Sequence, residues 1–194
     1  MKIVTNVSRS NIFPVLIASL ALTVSGCASS RYTILEPPNQ PVSNFEVLEI
    51  RDFTSTLTDE DSVGLADRFA DQLHAAVMQD RQQHPGESVF EEVVRQSDQS
   101  ERVLLLDGSV LSFEKGSRAK RYFIGFGAGK AYCTIQAVFT DKVTGEEVLR
   151  TNFDGELSMS LFGGSPEEAV DAVVRAFIDY LSDYFENEGL VPAV

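Results

Sequence analysis

The sequence predicts an α+β domain, in which two helices pack on one face of a mainly antiparallel (mixed) sheet of four to five strands. Two long segments repeat apolar residues at helical spacing along one side only, so each predicts a helix with one buried face. Short runs rich in β-branched and aromatic residues lie before and between these segments and predict strands. The resulting order β-α-β-β-β-β-α favours helices gathered on one face of the sheet.

The composition sets the class of protein. The chain has 194 residues, 43% of them apolar, and a net charge of −13. This balance is typical of a globular protein with room for one packed core. Because an acidic surface repels phosphate backbones, nucleic acid is not expected as a partner.

The first 26 residues predict a signal peptide, since Lys2 and Arg9 precede an apolar run over residues 12–24 that is short for a membrane-spanning helix. The run ends in L-T-V-S-G-C. Small residues directly before a cysteine resemble the lipobox of bacterial lipoproteins. This resemblance implies that the Cys27 sulfur receives diacylglycerol, that the chain is cut before Cys27, and that the new amino group is acylated. The alternative is an ordinary signal peptide that happens to contain a cysteine.

The residue after the cysteine bears on location. In lipoproteins of this type an aspartate there commonly signals retention in the inner membrane, and this chain has Ala28. The resemblance therefore implies a lipid anchor in the outer membrane, on its periplasmic side. Residues 27–43 are predicted to be the lipidated cysteine and a flexible tether, because they contain Pro37, Pro38 and Pro41 among polar residues. A single domain over residues 44–188 and a tail over 189–194 complete the organisation.

The first half of the domain begins with a strand predicted over residues 45–53. A helix follows to about Gln83, with Thr58 as its capping residue and acids in its first turn. Its apolar face is formed by Leu65, Phe69, Leu73 and Val77. Two further strands are predicted over residues 88–94 and 103–113, the second bent at Gly108.

The second half contains the clearest alternation. Over residues 131–140 one side of a strand is predicted to carry Ala131, Cys133, Ile135, Ala137 and Phe139. A hairpin loop over 141–145 leads to a strand over 148–157. Ser165 and Pro166 open the last helix, and Glu168 completes a capping box.

A glycine-rich run, G-F-G-A-G-K, lies before the strand at residue 131 and contains Gly125, Gly127 and Gly129. A phosphate-binding loop would need glycine at Ile124 and Ser or Thr at Ala131. Such loops also lead into a helix, whereas a strand is predicted here. We therefore interpret the three glycines as a hinge or a close backbone approach, with Phe126 packed or exposed at its tip.

Five cations and no acid occupy residues 115–130, and we refer to these residues as the basic segment. The cations are Lys115, Arg118, Lys120, Arg121 and Lys130. One interpretation is a solvated loop whose charges balance acids nearby. The other is a contact surface for an anionic partner such as lipid head groups, lipopolysaccharide or an acidic protein face.

No residue pattern indicates a catalytic centre. With Cys27 used by the anchor, Cys133 has no disulfide partner within the chain and is predicted to be a small buried hydrophobe, an intermolecular bridge being the alternative. His74 and His84 lie ten residues apart along one helix, nearly three turns, which is too far for one metal ion. Neither a metal, a cofactor nor an enzymatic activity is predicted.

Two resemblances to known families follow from these motifs. The run R-Y-F-I-G-F-G-A-G-K-A, the alternating strand after it and D-K-V-T-G-E-E-V resemble the bacterial lipoprotein family catalogued as domain of unknown function 4410, over residues 45–187. More distantly, V-L-L-L-D-G-S-V and the hairpin resemble the periplasmic α/β domain of the curli secretion lipoprotein, of lipoprotein activators of penicillin-binding proteins, and of the Tol translocation protein B. Those are interaction and assembly domains, although this chain lacks the long amphipathic hairpins of the curli pore.

The functional hypothesis is a membrane-anchored, non-catalytic binding or scaffold module that presents one surface to an envelope protein. The candidate surface comprises the basic segment, the loop around Phe126 and the exposed polar side of the sheet. An alternative is an oligomeric assembly or secretion accessory factor whose edge strands pair between subunits. An enzyme with an unrecognised site is the least favoured hypothesis.

Overall fold

The computed structural model describes residues 28–85, 88, 90–114, 131–157 and 167–186. Within these residues the chain forms six strands and two α-helices, which confirms the α+β class. The strands are β1 (Ala28–Glu36), β2 (Val47–Ser55), β3 (Glu92–Val94), β4 (Val103–Glu114), β5 (Ala131–Asp141) and β6 (Glu147–Leu157). The helices are α1 (Glu60–Gln83) and α2 (Glu167–Glu186), and a single 3-10 turn spans Val42–Asn44.

The strands form one mixed sheet in the order β1-β6-β5-β4-β2-β3. The neighbours from β1 to β4 are antiparallel, whereas β2 pairs in parallel with both β4 and β3. Helix α1 supplies the crossover that parallel neighbours require. The sheet thus has more strands than the four to five predicted, and two of its five strand pairs are parallel.

The additional strand is β1, so the prediction of a flexible tether is wrong for residues 28–36. From Ala28 to Ile34 this strand pairs residue by residue with β6. The physical reason is the alternation of its side chains, because Tyr32 and Ile34 pack against the core while Arg31 remains exposed. Pro37, the first of the three prolines, comes only after the strand has ended.

Both helices cover the same face of the sheet. Helix α1 packs on β2 and β4, helix α2 packs on β6, β1 and β5, and the two helices touch each other. The predicted apolar face of α1 and the predicted core side of β5 are both confirmed, since all their members are buried. The core between the layers is rich in aromatic rings, including Phe69, Phe139, Phe153, Phe177 and Tyr180.

Several local details differ from the prediction. Helix α1 is capped by Asp59 rather than Thr58, because the Asp59 carboxylate accepts a hydrogen bond of 2.9 Å from the backbone N–H of Ser62. Strand β3 is limited to Glu92–Val94. In β4 the register shift against β5 lies between Val110 and Ser112, whereas the shift beside Gly108 lies in the paired strand β2, between Ile50 and Phe53. The predicted opening of the last helix at Ser165 and Pro166 lies outside the described residues.

The β5–β6 hairpin is confirmed. Gly145 has a φ of +71°, a conformation that glycine adopts without strain, and its N–H donates to the Asp141 carbonyl at 2.8 Å. The Asp141 side chain accepts a further hydrogen bond from the N–H of Val143 at 2.8 Å. Among the helices described, neither is long and apolar enough to cross a bilayer.

Candidate interaction surface

The sheet has one face that no described helix covers, and we call it the uncovered face. The register places on it the polar side of β5, predicted from the sequence, together with charged and polar side chains of β1, β2, β4 and β6. Its members include Arg31, Glu49, Arg51, Asp107, Ser109, Thr134, Gln136, Arg150, Asn152 and Asp154. Most of these side chains are partly exposed, and a small buried apolar cluster of Val47, Val103 and Leu105 lies on the same face.

Side chains of β5 and β6 pair directly across the uncovered face. Thr134 Oγ1 donates to Asp154 Oδ1 at 2.7 Å, and Gln136 Nε2 lies 3.3 Å from Asn152 Oδ1. Each pair joins residues that are opposite in the register. Such cross-strand pairs stabilise the sheet and restrict these side chains.

Arg150 extends this network toward the start of β6. Its Nε donates to Glu147 Oε1 at 2.8 Å, its Nη2 donates to Glu147 Oε2, and its Nη1 donates to Gln136 Oε1 at 3.3 Å. The hydrogen bonds from Arg150 hold the pKa of Glu147 below its ordinary value. A shallow groove of about 520 Å³ runs beside this pair, walled on one side by Leu35 and the residues after it.

Glu49 is almost fully buried, with 4% exposure, although it belongs to the uncovered face. Its carboxylate accepts hydrogen bonds from Lys142 Nζ at 2.9 Å and from Arg51 Nε at 3.1 Å. Lys142 Nζ also donates to the Ser97 carbonyl at 2.8 Å. Burial raises the pKa of Glu49, but these hydrogen bonds and the two positive charges together outweigh it and leave the pKa below the ordinary value.

Asp107, on the neighbouring strand β4, shows the opposite behaviour. Burial raises the pKa of its half-buried carboxyl, and the negative charge of Glu147 adds to this effect. The positive charge of Arg51 lowers the pKa only partly, so that it lies above the ordinary value. The uncovered face thus contains one acid held firmly in its charged form and one whose charge is disfavoured.

Cys133 lies on the core side of β5 and is fully buried, which confirms the prediction of a small buried hydrophobe. Burial, and to a lesser degree the negative charge of Asp154, raise the pKa of its thiol to about 12. A thiol with this pKa is not a nucleophile at neutral pH. His74 contacts the Val93 carbonyl at 3.2 Å and His84 contacts the Asp80 carboxylate at 3.0 Å.

The uncovered face offers hydrogen-bonding side chains and a shallow groove, and both features suit binding. Among the described residues no group of three or more His, Cys, Asp or Glu side chains could hold a metal ion. A cavity of about 270 Å³ lies away from this face, between the ends of α1 and α2, and the sequence did not predict it. The sequence analysis also missed the ion cluster of Glu49, Lys142 and Arg51, which we call the Glu49 cluster. Its one sequence signal was a carboxylate within a predicted strand.

The other site residues predicted from the sequence lie outside the described residues. They are Cys27, Lys115, Arg118, Lys120, Arg121, Gly125, Phe126, Gly127, Gly129 and Lys130. Their predicted roles stay predictions. The polar side of the sheet is the one part of the predicted surface that lies within the described residues.

The chain positions next to these residues are nevertheless described, and they meet at one end of the sheet. The register aligns Ala28 with Leu157 and Leu157 with Ala131, and it pairs Glu114 with Tyr132. We call this row the anchor end. Peptide bonds join Cys27 to Ala28, Lys115 to Glu114 and Lys130 to Ala131. The predicted lipid anchor and both ends of the basic segment are therefore connected to the same end of the sheet.

Comparison with known proteins gives a family and several distant structural likenesses. The model of the family described as Domain of unknown function (DUF4410) matches residues 42–159. No curated protein matches the chain. Among solved structures, the chain is similar to the PelC dodecamer from Paraburkholderia phytofirmans, with 11% identity and a TM-score of 0.47 over 80% of this chain and 98% of that chain. It is also similar to a Xanthomonas campestris protein of family DUF330, with 14% identity and a TM-score of 0.42 over 78% and 88% of the two chains.

Proposed function

This chain belongs to the family described as Domain of unknown function (DUF4410), and we propose that it is a non-catalytic binding or scaffold module, anchored by acylated Cys27 in the outer membrane and facing the periplasm. The observation that carries the proposal is the anchor end. Strand β1 begins at Ala28, the residue after Cys27, so an acylated Cys27 would join the sheet with no tether between them. Several acyl chains at that position would hold this end of the sheet at the lipid surface.

The basic segment supports the same orientation. The chain as a whole is acidic, with a net charge of −13, yet the basic segment carries five cations and no acid. Both of its ends connect to the anchor end, which brings it within reach of anionic head groups. Each cation near such a surface contributes about 1 kcal/mol of attraction. In this orientation the domain stands end-on, with its strands directed away from the bilayer.

The uncovered face is then the surface presented to a protein partner. Its pairs, such as Thr134 with Asp154 and Arg150 with Glu147, already hold their side chains in one arrangement. A preordered surface loses little conformational entropy on binding, so its hydrogen bonds contribute more of their free energy to affinity. We therefore expect the partner to be an envelope protein with a complementary polar surface.

The anchor is tested by replacing Cys27 with Ala. We expect mass spectrometry of the native chain to show a mature protein that begins at Cys27 and carries diacylglycerol and an amide-linked acyl chain. The variant should lose both modifications, whereas Cys133→Ala, a matched control at the buried cysteine, should keep them. An unmodified Cys27 sulfur in the native chain, or a leader still attached, would overturn the proposal.

The orientation is tested by reversing three charges of the basic segment, Lys115→Glu, Arg118→Glu and Lys120→Glu, in a chain that begins at Ala28. Loss of three attractive contacts predicts binding to anionic vesicles that is weaker by about tenfold or more. Binding to neutral vesicles, measured by flotation, should be weak for both chains and serves as the control. Equal binding of the two chains to anionic vesicles would rule out head-group contact by this segment.

A further inference from the structure

A cavity of about 270 Å³ lies between the C-terminal parts of α1 and α2 and the residues around β3, and we call it the helix-end cavity. Its apolar wall is formed by Val77, Phe90, Val93, Ile178 and Leu181. The first three side chains are buried, and the last two are partly buried and pack against the core. An apolar cavity of about 150 Å³ already accepts a molecule of the size of benzene. The helix-end cavity therefore has room for a branched apolar side chain.

The rim of the helix-end cavity does not favour a charged occupant. It contains the acidic side chains of Asp80 and Asp179 together with Arg81 and His84. Arg81 Nη2 donates to the Glu91 carbonyl at 2.8 Å, and His84 contacts the Asp80 carboxylate at 3.0 Å. Because groups of both signs lie side by side at this rim, an ion would gain little attraction there to offset its loss of water. An uncharged apolar occupant, by contrast, matches the wall.

An apolar segment of the chain itself follows shortly after α2, and we call it the apolar tail. The apolar tail comprises residues 189–194, reads G-L-V-P-A-V and contains no charged side chain. It lies outside the described residues, whereas α2 is described as far as Glu186 and lines the helix-end cavity as far as Ser182. Only Asn187 and Glu188 separate the apolar tail from α2.

The apolar tail is long enough to return to the cavity. Four residues of helix, from Ser182 to Glu186, span about 6 Å. Four residues of extended chain, from Glu186 to Leu190, span about 13 Å. Glycine is common directly after a helix end, because it adopts the left-handed conformation that turns the chain there. Gly189 is therefore at the sequence position where such a turn would bring Leu190 back to the level of Ser182.

We propose that the apolar tail occupies the helix-end cavity, with Gly189 at the turn and the Leu190 side chain inserted against the apolar wall. Alternate residues of an extended chain point to the same side, so Leu190, Pro192 and Val194 face the cavity whereas Val191 faces away from it. Attachment to α2 gives the apolar tail an effective concentration on the order of 1 mM at the cavity, so even a weak contact keeps it there.

The place of the cavity in the fold argues against another apolar occupant, the acyl chains of the proposed anchor. Val93, in the cavity wall, pairs with Leu48, and Leu48 pairs with Leu104 near the beginning of β4. From there β4 continues to Glu114 at the anchor end, which is about 33 Å away. Acyl chains inserted in a bilayer at the anchor end cannot reach the helix-end cavity, an exclusion that rests on the proposed function.

The docking is tested by disulfide formation within the full chain, purified in mild detergent. We expect Leu190→Cys to link with His84→Cys, at the rim, about tenfold or more faster than with Gln82→Cys. Gln82 is the matched control, because it is exposed, lies two residues before His84 and does not line the cavity. The chain with Leu190→Cys alone is the blank, in which the fully buried Cys133 should form no link.

Thermal unfolding in the same detergent gives a second readout. Leu190→Ser removes an apolar side chain from the cavity and should lower the unfolding midpoint by about 4 °C or more. Val191→Ser changes a side chain that faces away and should leave the midpoint within about 1 °C. Equal linkage of the two cysteine pairs, or equal midpoints for the two serine variants, would overturn the proposal. An unacylated Cys27 would refute the proposed function but would change neither readout, because the cavity lies at the opposite end of the sheet.

Discussion

Glu49 and Asp107 show, at the scale of single residues, that hydrogen-bond donors can outweigh the effect of burial on the pKa of a carboxyl. Glu49 is the more buried of the two, yet its pKa is lowered, because Lys142 and Arg51 both donate hydrogen bonds to it. Asp107 is half-buried and its pKa is raised, because the nearby Arg51 charge does not offset the loss of water. The same strand pair thus contains both outcomes.

This contrast predicts that Asp107→Asn stabilises the protein at neutral pH. A raised folded-state pKa means that folding disfavours the charged form of Asp107. The contribution of this group to stability is therefore fully present below the ordinary pKa of 3.8, and it is lost as the pH rises through the folded-state pKa. Thermal unfolding at pH 7 should therefore show a midpoint about 1–3 °C higher for the variant. Below pH 3.8 the gain should vanish, and a less stable variant at pH 7 would contradict the assignment.

Single residues also show which parts of the site the sequence could predict. The alternation over residues 131–140 placed Cys133 in the core because its pattern is local. The ion pair between Lys142 and Glu49 joins residues 93 positions apart, and local patterns contain no information about such a contact. The Glu49 cluster therefore follows from the pairing of strands in the sheet and not from any local sequence pattern.

At the scale of elements, β1 illustrates how a strand depends on its partner. Its residues alternate, but the run is short, begins with small polar residues and is followed by prolines, which together resemble a tether. What makes it a strand is the free edge of β6, which offers backbone partners from Leu157 to Thr151. The long periodic elements α1, β5 and α2 were predictable because each buries one face by its own pattern.

Strand β6 and helix α2 approach each other closely at Gly155. A Cβ atom at Gly155 would lie 2.1 Å from the Ala169 carbonyl oxygen and 2.9 Å from a Val173 methyl group. Gly155→Ala must therefore push α2 away from the sheet, and we expect a loss of about 2–3 kcal/mol in the free energy of unfolding. Urea unfolding followed by circular dichroism measures this loss.

Gly64→Ala is the matched control for this prediction. Gly64 lies within helix α1, and its added Cβ would meet nothing nearer than the end of the Arg68 side chain at 3.7 Å. Alanine in a helix is favoured over glycine by about 0.5–1 kcal/mol, so this variant should gain stability. If both variants changed stability by similar amounts in the same direction, close packing at Gly155 would not be the cause.

At the scale of the whole molecule, the topology turns distant parts of the chain into neighbours. The anchor end combines the beginning of β1, the end of β4, the beginning of β5 and the end of β6. The sequence predicted the lipid anchor at Cys27 and the basic segment separately, without relating one to the other. The described positions that flank these candidates, Ala28, Glu114 and Ala131, lie at one end of the sheet, and this follows only from the register.

The Glu49 cluster links the two halves of the molecule, and we expect its loss to destabilise the whole fold. Through Lys142 it ties β2 to the β5–β6 hairpin, and through Ser97 it ties in the segment between β3 and β4. Glu49→Gln removes the charge that pairs with Lys142 and Arg51, and a lost hydrogen bond to a charged group predicts a decrease of about 1.5–3 kcal/mol in the free energy of unfolding at pH 7. Glu147→Gln is the control, because its partner Arg150 is only three residues away and its side chain is 31% exposed, so its effect should be smaller.

The pH dependence then identifies the charge as the cause. Because the folded-state pKa of Glu49 is lowered, its contribution to stability is present above the ordinary value of 4.5 and is lost as the pH falls through the folded-state pKa. Native chain and Glu49→Gln should therefore converge in stability in acid, as measured by urea unfolding at successive pH values. A deficit that persists undiminished at the lowest pH would instead assign the effect to packing of the side chain, and the link between the two halves would not be electrostatic.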